Sequence, residues 1–275
     1  MGRHALVAMA ALVLGACTMG RPAEVAREPA SPGAMSEREF QALHAPGASP
    51  QQRKGVELEV SGARAYLSLP SGAVAPLPGI IVVHEAGGLN GHILHWADRL
   101  AAEGYAALAV DLLGGKVPAT PEESTEAMRR LDPERADKLL QAAHAFLIKD
   151  ERVRAPRTGA IGWSVGSAWA LRLALAEPEL DAVVAYYGWP VLEPEVLASL
   201  RPPLLGVYGT RDVSVPPTLV DQFEQALDAA HVPHRVVRYE AEHAFANPDD
   251  PRYHAWAAAA AWQEVDAFLE KHLKR

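Results

Sequence analysis

Gly162-Trp163-Ser164-Val165-Gly166 joins an apolar run, Thr158 to Gly162, to a stretch rich in small residues, Val165 to Ala176. That succession reads as strand, tight turn and helix. Glycines stand two positions before and two after the serine. A strained turn needs them there, because a side chain at either place would clash with strand or helix. The strain lifts the hydroxyl above the sheet edge and leaves the Val165 amide at a helix N-terminus, where it can hold an oxyanion. Ser164 is therefore the candidate nucleophile.

Outward from this turn, strands and helices alternate. Val56 to Val60 and Ala63 to Leu69 flank Ser61-Gly62 and predict an opening hairpin. Gly79 to His84 and Tyr105 to Leu112 are continuous apolar runs of the kind buried on both faces. Between them Asn90 is placed to cap a helix carrying Ile93, Trp96, Ala97 and Leu100 and ending at Gly104. A long helical pattern covers Pro121 to Ile148, with an interruption expected at Pro133. Downstream come strands Asp181 to Tyr187, Pro203 to Tyr208 and His234 to Tyr239, and helices Pro216 to Ala230 and Tyr253 to Leu273. The alternation predicts one α/β domain over 55–275, with a mostly parallel central sheet and helices on both faces.

In such sheets the reactive groups sit beyond the carboxyl ends of strands. A serine hydroxyl needs a histidine to take its proton and an acid to orient that histidine, in the chain order Ser, acid, His. His231 ends a helix, His234 begins a strand, and His254 and His272 fall in the terminal helical pattern. His243 follows a strand end and is the candidate base. Asp212, just past Leu204 to Tyr208, is the candidate acid; Asp181 starts a strand, and Asp221, Glu224 and Asp228 lie on a helix surface. His84-Glu85-Ala86-Gly87-Gly88-Leu89 follows the first buried strand and offers the Ala86 amide as second oxyanion donor. Glu85 at that strand end has either a functional or a loop-ordering role. His92 and His95 share a helix face, but no neighbouring carboxylate in the sequence completes a ligand set, so neither metal nor cofactor is expected.

The chain has 275 residues, 49% of them apolar and 22% charged, which suits a sizeable core. A formal charge of −8 with no basic run excludes nucleic acid as a partner class. One cysteine, Cys17, excludes a disulfide framework. It ends a segment with a positive start and an apolar run from Ala5 to Leu14, which reads as a secretory signal over 1–17. Leu14-Gly15-Ala16-Cys17 resembles the bacterial lipobox, which implies lipidation at Cys17. Thr18 after it resembles the outer-membrane sorting pattern, facing the periplasm. Membrane contact is then through the lipid alone. Residues 18–54, with five prolines among small and charged residues, read as a flexible tether, with one short helix over Ser36 to His44.

Several stretches together resemble the dienelactone hydrolase family of α/β-hydrolases, over about Gly55 to Leu273. They are His84-Glu85 with Gly88-Leu89-Asn90, Arg99-Leu100-Ala101 with Gly104-Tyr105-Ala106, Ala109 to Leu112, the serine turn, Tyr186-Tyr187-Gly188, Gly209 to Asp212, and His243 to Asn247. The resemblance implies a nucleophile at Ser164, an acid at Asp212, a base at His243 and an oxyanion hole at Ala86 and Val165. Two features depart from the family. Its name-giving enzymes carry a cysteine where this chain has Ser164, with a glutamate matching Glu85 that helps make the thiolate; a serine forms no stable alkoxide near neutral pH. They also clamp a substrate carboxylate with two arginines, where this chain offers Asn247 and Gly115-Lys116. The expected activity is extracytoplasmic hydrolysis of a small ester or lactone through an acyl-enzyme. A non-catalytic envelope lipoprotein and an acyltransferase using the same residues are the competing readings.

Overall fold

Small and β-branched residues build the central strands, and both faces of those strands are covered. The computed structural model describes residues 35–44 and 53–275. The chain runs α1 (Glu37–Ala42), β1 (Val56–Val60), β2 (Ala63–Ser68), β3 (Gly79–Val83), α2 (Gly91–Ala102), β4 (Ala106–Val110), α3 (Pro121–Arg129), α4 (Pro133–Lys149), β5 (Thr158–Trp163) and α5 (Val165–Ala176). It continues with β6 (Ala182–Tyr186), α6 (Pro194–Leu197), β7 (Leu204–Gly209), α7 (Pro217–Ala229), β8 (His234–Tyr239) and α8 (Ala255–Leu273). The eight strands form one sheet in the order β1-β2-β4-β3-β5-β6-β7-β8. The β1–β2 and β2–β4 pairings are antiparallel and the rest are parallel.

Alternation along each strand sorts the core into two layers. Ile81, Val83, Leu108 and Val183 face the layer that α4, α5 and α7 cover with Leu140, Leu171 and Phe223. Ile80, Val82, Ile161 and Val184 face the opposite layer, covered by α2 and α8 through Ile93, Leu100, Trp262 and Leu269. The result is a mostly parallel sheet with helices on both sides, as the alternation of strands and helices predicts.

Local chemistry sets the helix boundaries. Asn90 Oδ1 accepts the Ile93 amide at 3.2 Å and starts α2. The pattern expected over 121–148 is two helices. Thr120 caps α3, and Asp132 caps α4 by accepting the Glu134 amide at 3.0 Å with Pro133 in the first turn. The terminal helix starts two residues later than its apolar spacing suggested. His254 is its cap rather than a member, its Nδ1 accepting the Ala257 amide at 3.2 Å. No described helix is long and apolar enough to cross a membrane.

The segment expected to be tether needs a correction where it is described. Residues 1–34, with Cys17, lie outside the described residues, as do 45–52. Residues 35–44 pack on the domain. Phe40 is buried at 1% exposure, beside Trp96 at a ring separation of 4.6 Å. Arg99, from α2, lies with its guanidinium 4.6 Å from the Phe40 ring and 4.2 Å from that of Trp262, and pairs with Glu37 at 2.8 Å. A buried guanidinium must find an acid partner, and Glu37 supplies it from outside the sheet domain. Composition hid this, because one aromatic anchor among prolines does not change the average.

Phe40→Ala should therefore lower stability by about 3–5 kcal/mol in urea unfolding. Unchanged stability would mean that the docked helix adds nothing to the domain.

Candidate active site

Ser164 sits between β5 and α5 with φ 51° and ψ −119°, a strained conformation for a residue with a side chain. Its amide donates to the Tyr186 carbonyl at 2.9 Å, which ties the turn to β6. The two flanking glycines are explained by contact distance. A Cβ at Gly162 would lie 2.2 Å from the Gly166 carbonyl oxygen, and one at Gly166 would lie 2.3 Å from that of His84. The start of α5 thus presses on the end of β3, which brings the Val165 amide into the neighbourhood of the Ala86 loop.

Three side chains from separate loops join in a relay. His243 Nε2 lies 3.0 Å from Ser164 Oγ, and His243 Nδ1 lies 2.7 Å from Asp212 Oδ2. Asp212 is 2% exposed, and its Oδ1 accepts the Ser214 amide at 2.7 Å and the Val215 amide at 2.9 Å. Burial alone would raise its carboxyl, but the His243 bond and the two amides outweigh it and hold the group below the usual carboxylate range. An ionised Asp212 keeps the proton on His243 Nδ1, so Nε2 is left to accept from the serine. Tyr187 packs its ring 5.0 Å from the imidazole. Arg211 next door points elsewhere and pairs with Glu240.

Glu85 lies beside this relay. Its Oε1 accepts from Asn247 Nδ2 at 2.6 Å, and Asn247 Oδ1 accepts the Asp249 amide at 2.9 Å. Burial, reinforced by Asp250, pushes the Glu85 carboxyl up to about 7, against the pull of His243 and Asn247. Asn247 was visible in the sequence only as a departure from an arginine; its role as the partner of Glu85 needed the fold. His84 is structural. Its Nδ1–H donates to the Glu85 carbonyl at 2.7 Å and its Nε2 accepts the Leu112 amide at 3.0 Å, which leaves no nitrogen for a ligand. Gly88 turns at φ +73° with room for no side chain, since a Cβ there would lie 2.4 Å from the Lys116 carbonyl oxygen. The loop after Asp111 is thereby packed on the Ala86–Gly88 turn. Beside it a cavity of about 530 Å³ is walled by Val117, Pro118 and Ala127, with Lys116 and Glu126 at its edge.

The carboxylate that the sequence did not place near His92 and His95 comes from far along the chain. Asp249 and His44 both reach His92, with their ligand atoms within 4.8 Å of one another.

Comparison with known proteins agrees with this architecture. The model of the dienelactone hydrolase family matches residues 63–273. A protein of Synechocystis, named as a candidate carboxymethylenebutenolidase, is 32% identical over 235 residues, covering 79% of this chain and 94% of its own. The crystal structure of a candidate dienelactone hydrolase from Klebsiella pneumoniae superposes with a TM-score of 0.73 at 29% identity, over 79% of this chain and 98% of that one. A dienelactone hydrolase from Anabaena variabilis superposes with a TM-score of 0.61 at 25% identity, over 81% and 98%.

The raised Glu85 carboxyl has a signed consequence for stability. Below pH 4.5 both folded and unfolded chains hold its proton. Between 4.5 and about 7 the unfolded chain releases it and the folded chain keeps it, so stability falls as pH rises through this window. Glu85→Gln should remove that fall and gain up to about 3 kcal/mol over the wild type between pH 4.5 and pH 8. Urea unfolding at the two pH values measures it, and a pH-independent difference would return Glu85 to an ordinary carboxyl.

Proposed function

The chain belongs to the dienelactone hydrolase family and is an ester or lactone hydrolase, and we propose that it works through an acyl-enzyme on Ser164. The observation that carries this reading is the continuous relay from Asp212 Oδ2 through His243 to Ser164 Oγ, at 2.7 and 3.0 Å. His243 Nε2 takes the hydroxyl proton as Oγ attacks the carbonyl carbon. Asp212 keeps the imidazole in the tautomer that can accept it and stabilises the imidazolium that forms. The amides of Ala86 and Val165 hold the developing oxyanion. Collapse of the tetrahedral intermediate expels the alcohol, or the ring oxygen of a lactone, which takes its proton back from His243. Water then enters by the same route and frees Ser164.

Glu85 has a different task here from activating a thiol. At a pKa of about 7, and held by Asn247, it orders the loop that carries Ala86 rather than ionising the nucleophile. The Asn247 amide is occupied by Glu85 and is not an arginine, so the substrate is a small ester or lactone without a carboxylate to be clamped. The signal-like start and the lipobox at Leu14 to Cys17 support an exported protein, lipid-anchored through Cys17 at the envelope, facing the periplasm.

Ser164→Ala should abolish labelling by a fluorophosphonate probe and lower p-nitrophenyl acetate turnover at least about 1,000-fold, with Asp212→Asn falling by a similar factor. Undiminished turnover in the serine variant would refute the mechanism. For the anchor, radiolabelled palmitate should enter the wild-type chain and not Cys17→Ala; equal labelling, or none in either, rules lipidation at Cys17 out.

A further inference from the structure

Four ligand-type side chains outside the relay meet where residues 35–44 lie on α2. His44 ends the docked segment, His92 and His95 come from one face of α2, and Asp249 comes from the loop beyond His243. His44 Nε2 lies 3.1 Å from His92 Nδ1 and 3.3 Å from His95 Nδ1. The ligand atoms of His44, His92 and Asp249 all fall within 4.8 Å of one another.

These separations carry the chemistry. Zinc bonded to nitrogen at about 2.0–2.1 Å in a tetrahedron sets neighbouring ligand atoms about 3.3 Å apart. Both imidazole contacts of His44 already have that spacing, and the exposed Asp249 brings its carboxylate within 4.8 Å of His44 and His92. Hydrogen bonding accounts for His92 and His44, through Trp96 Nε1–H to His92 Nε2 and His92 Nδ1–H to His44 Nε2, but leaves His95 Nδ1 over. His44 Nδ1 lies 2.8 Å from the Phe40 carbonyl oxygen and carries its proton there, which leaves Nε2 with one in-plane lone pair. Two ring nitrogens face that single lone pair, and only one of them can donate to it well. A cation between them satisfies both at once. The Phe40 carbonyl then acts as the outer partner that fixes the tautomer of a metal-bound histidine.

One contact opposes the cation. Trp96 Nε1–H donates to His92 Nε2 at 3.2 Å, so metal on Nδ1 would move the ring proton to Nε2 and set two buried N–H donors against each other unless one ring turns. The cost is that of two unpaired buried N–H groups, which the metal–imidazole bonds must outweigh. Imidazoles with one carboxylate select the zinc, copper and nickel class over magnesium or calcium.

We propose that His44, His92 and Asp249, with His95 beside them, bind one divalent cation of the zinc class, which clips residues 35–44 onto the folded domain. The site is distinct from the relay and takes no part in the reaction derived above.

The test uses the full chain, untagged and stripped by a chelator, titrated with Zn²⁺ against a chromophoric competitor. One equivalent should bind with a submicromolar Kd. His44→Ala should weaken binding at least about 100-fold and Asp249→Asn at least about 10-fold. His231→Ala, an exposed imidazole before β8, should leave the affinity unchanged. Co²⁺ should give the visible absorption bands of a tetrahedral site in the wild type and lose them in His44→Ala, with far-UV circular dichroism verifying that each variant is folded. Asp249→Asn, a surface change of the same shape, serves if His44→Ala misfolds. Wild-type affinity in either ligand variant, equal loss in His231→Ala, or binding no tighter than tens of micromolar overturns the proposal.

Discussion

The site depends on how closely the start of α5 approaches the end of β3. Gly166 lets the helix backbone lie against the His84 carbonyl, and Gly162 lets the strand pass the Gly166 carbonyl. A side chain at Gly166 would force α5 away from β3, and one at Gly162 would force β5 away from the first turn of α5. Ser164 takes up the resulting strain at φ 51°, and that conformation is what aims Oγ at His243. The parallel sheet makes the strain tolerable, because Ser164 is held by its amide bond to β6 and both neighbouring strands are fully buried.

Two carboxylates near the imidazole are tuned in opposite directions by their surroundings. Asp212 collects an imidazole and two amides and stays ionised. Glu85 collects a single amide and the repulsion of Asp250, and is pushed up to about 7. Burial dominates at Glu85, where the single amide does not offset it, whereas at Asp212 the imidazole and two amides outweigh it. This fits a serine relay, in which one permanent anion orients the histidine and a second anion close by would compete for it.

The N-terminal segment is joined to the same structure by chemistry that is mixed rather than purely apolar. Phe40 enters a cleft formed with Trp96, while Arg99 lies among three aromatic rings and finds its counter-charge on Glu37. Removing the segment would leave Arg99 buried without its acid. The segment is therefore part of the folded unit, although it precedes the first strand by more than ten residues.

Much of this was legible in the primary structure. Strand and helix patterning predicted α/β architecture, and chain order with strand ends singled out Ser164, Asp212 and His243, because the period of apolar residues and the Gly-x-Ser-x-Gly spacing are local properties. The break before Pro133 was legible too, since proline and its capping aspartate act within one turn. The Glu85–Asn247 bond, the docking of Phe40 and the meeting of His44 with His92 and Asp249 were not. Each joins residues at least 48 positions apart, and no local period encodes such a contact. The sequence by itself determined which residues can do chemistry and which elements carry them. Only the tertiary structure decided which of them touch, because burial and partner geometry, not residue type, set the charge on Glu85 and the convergence of the histidines.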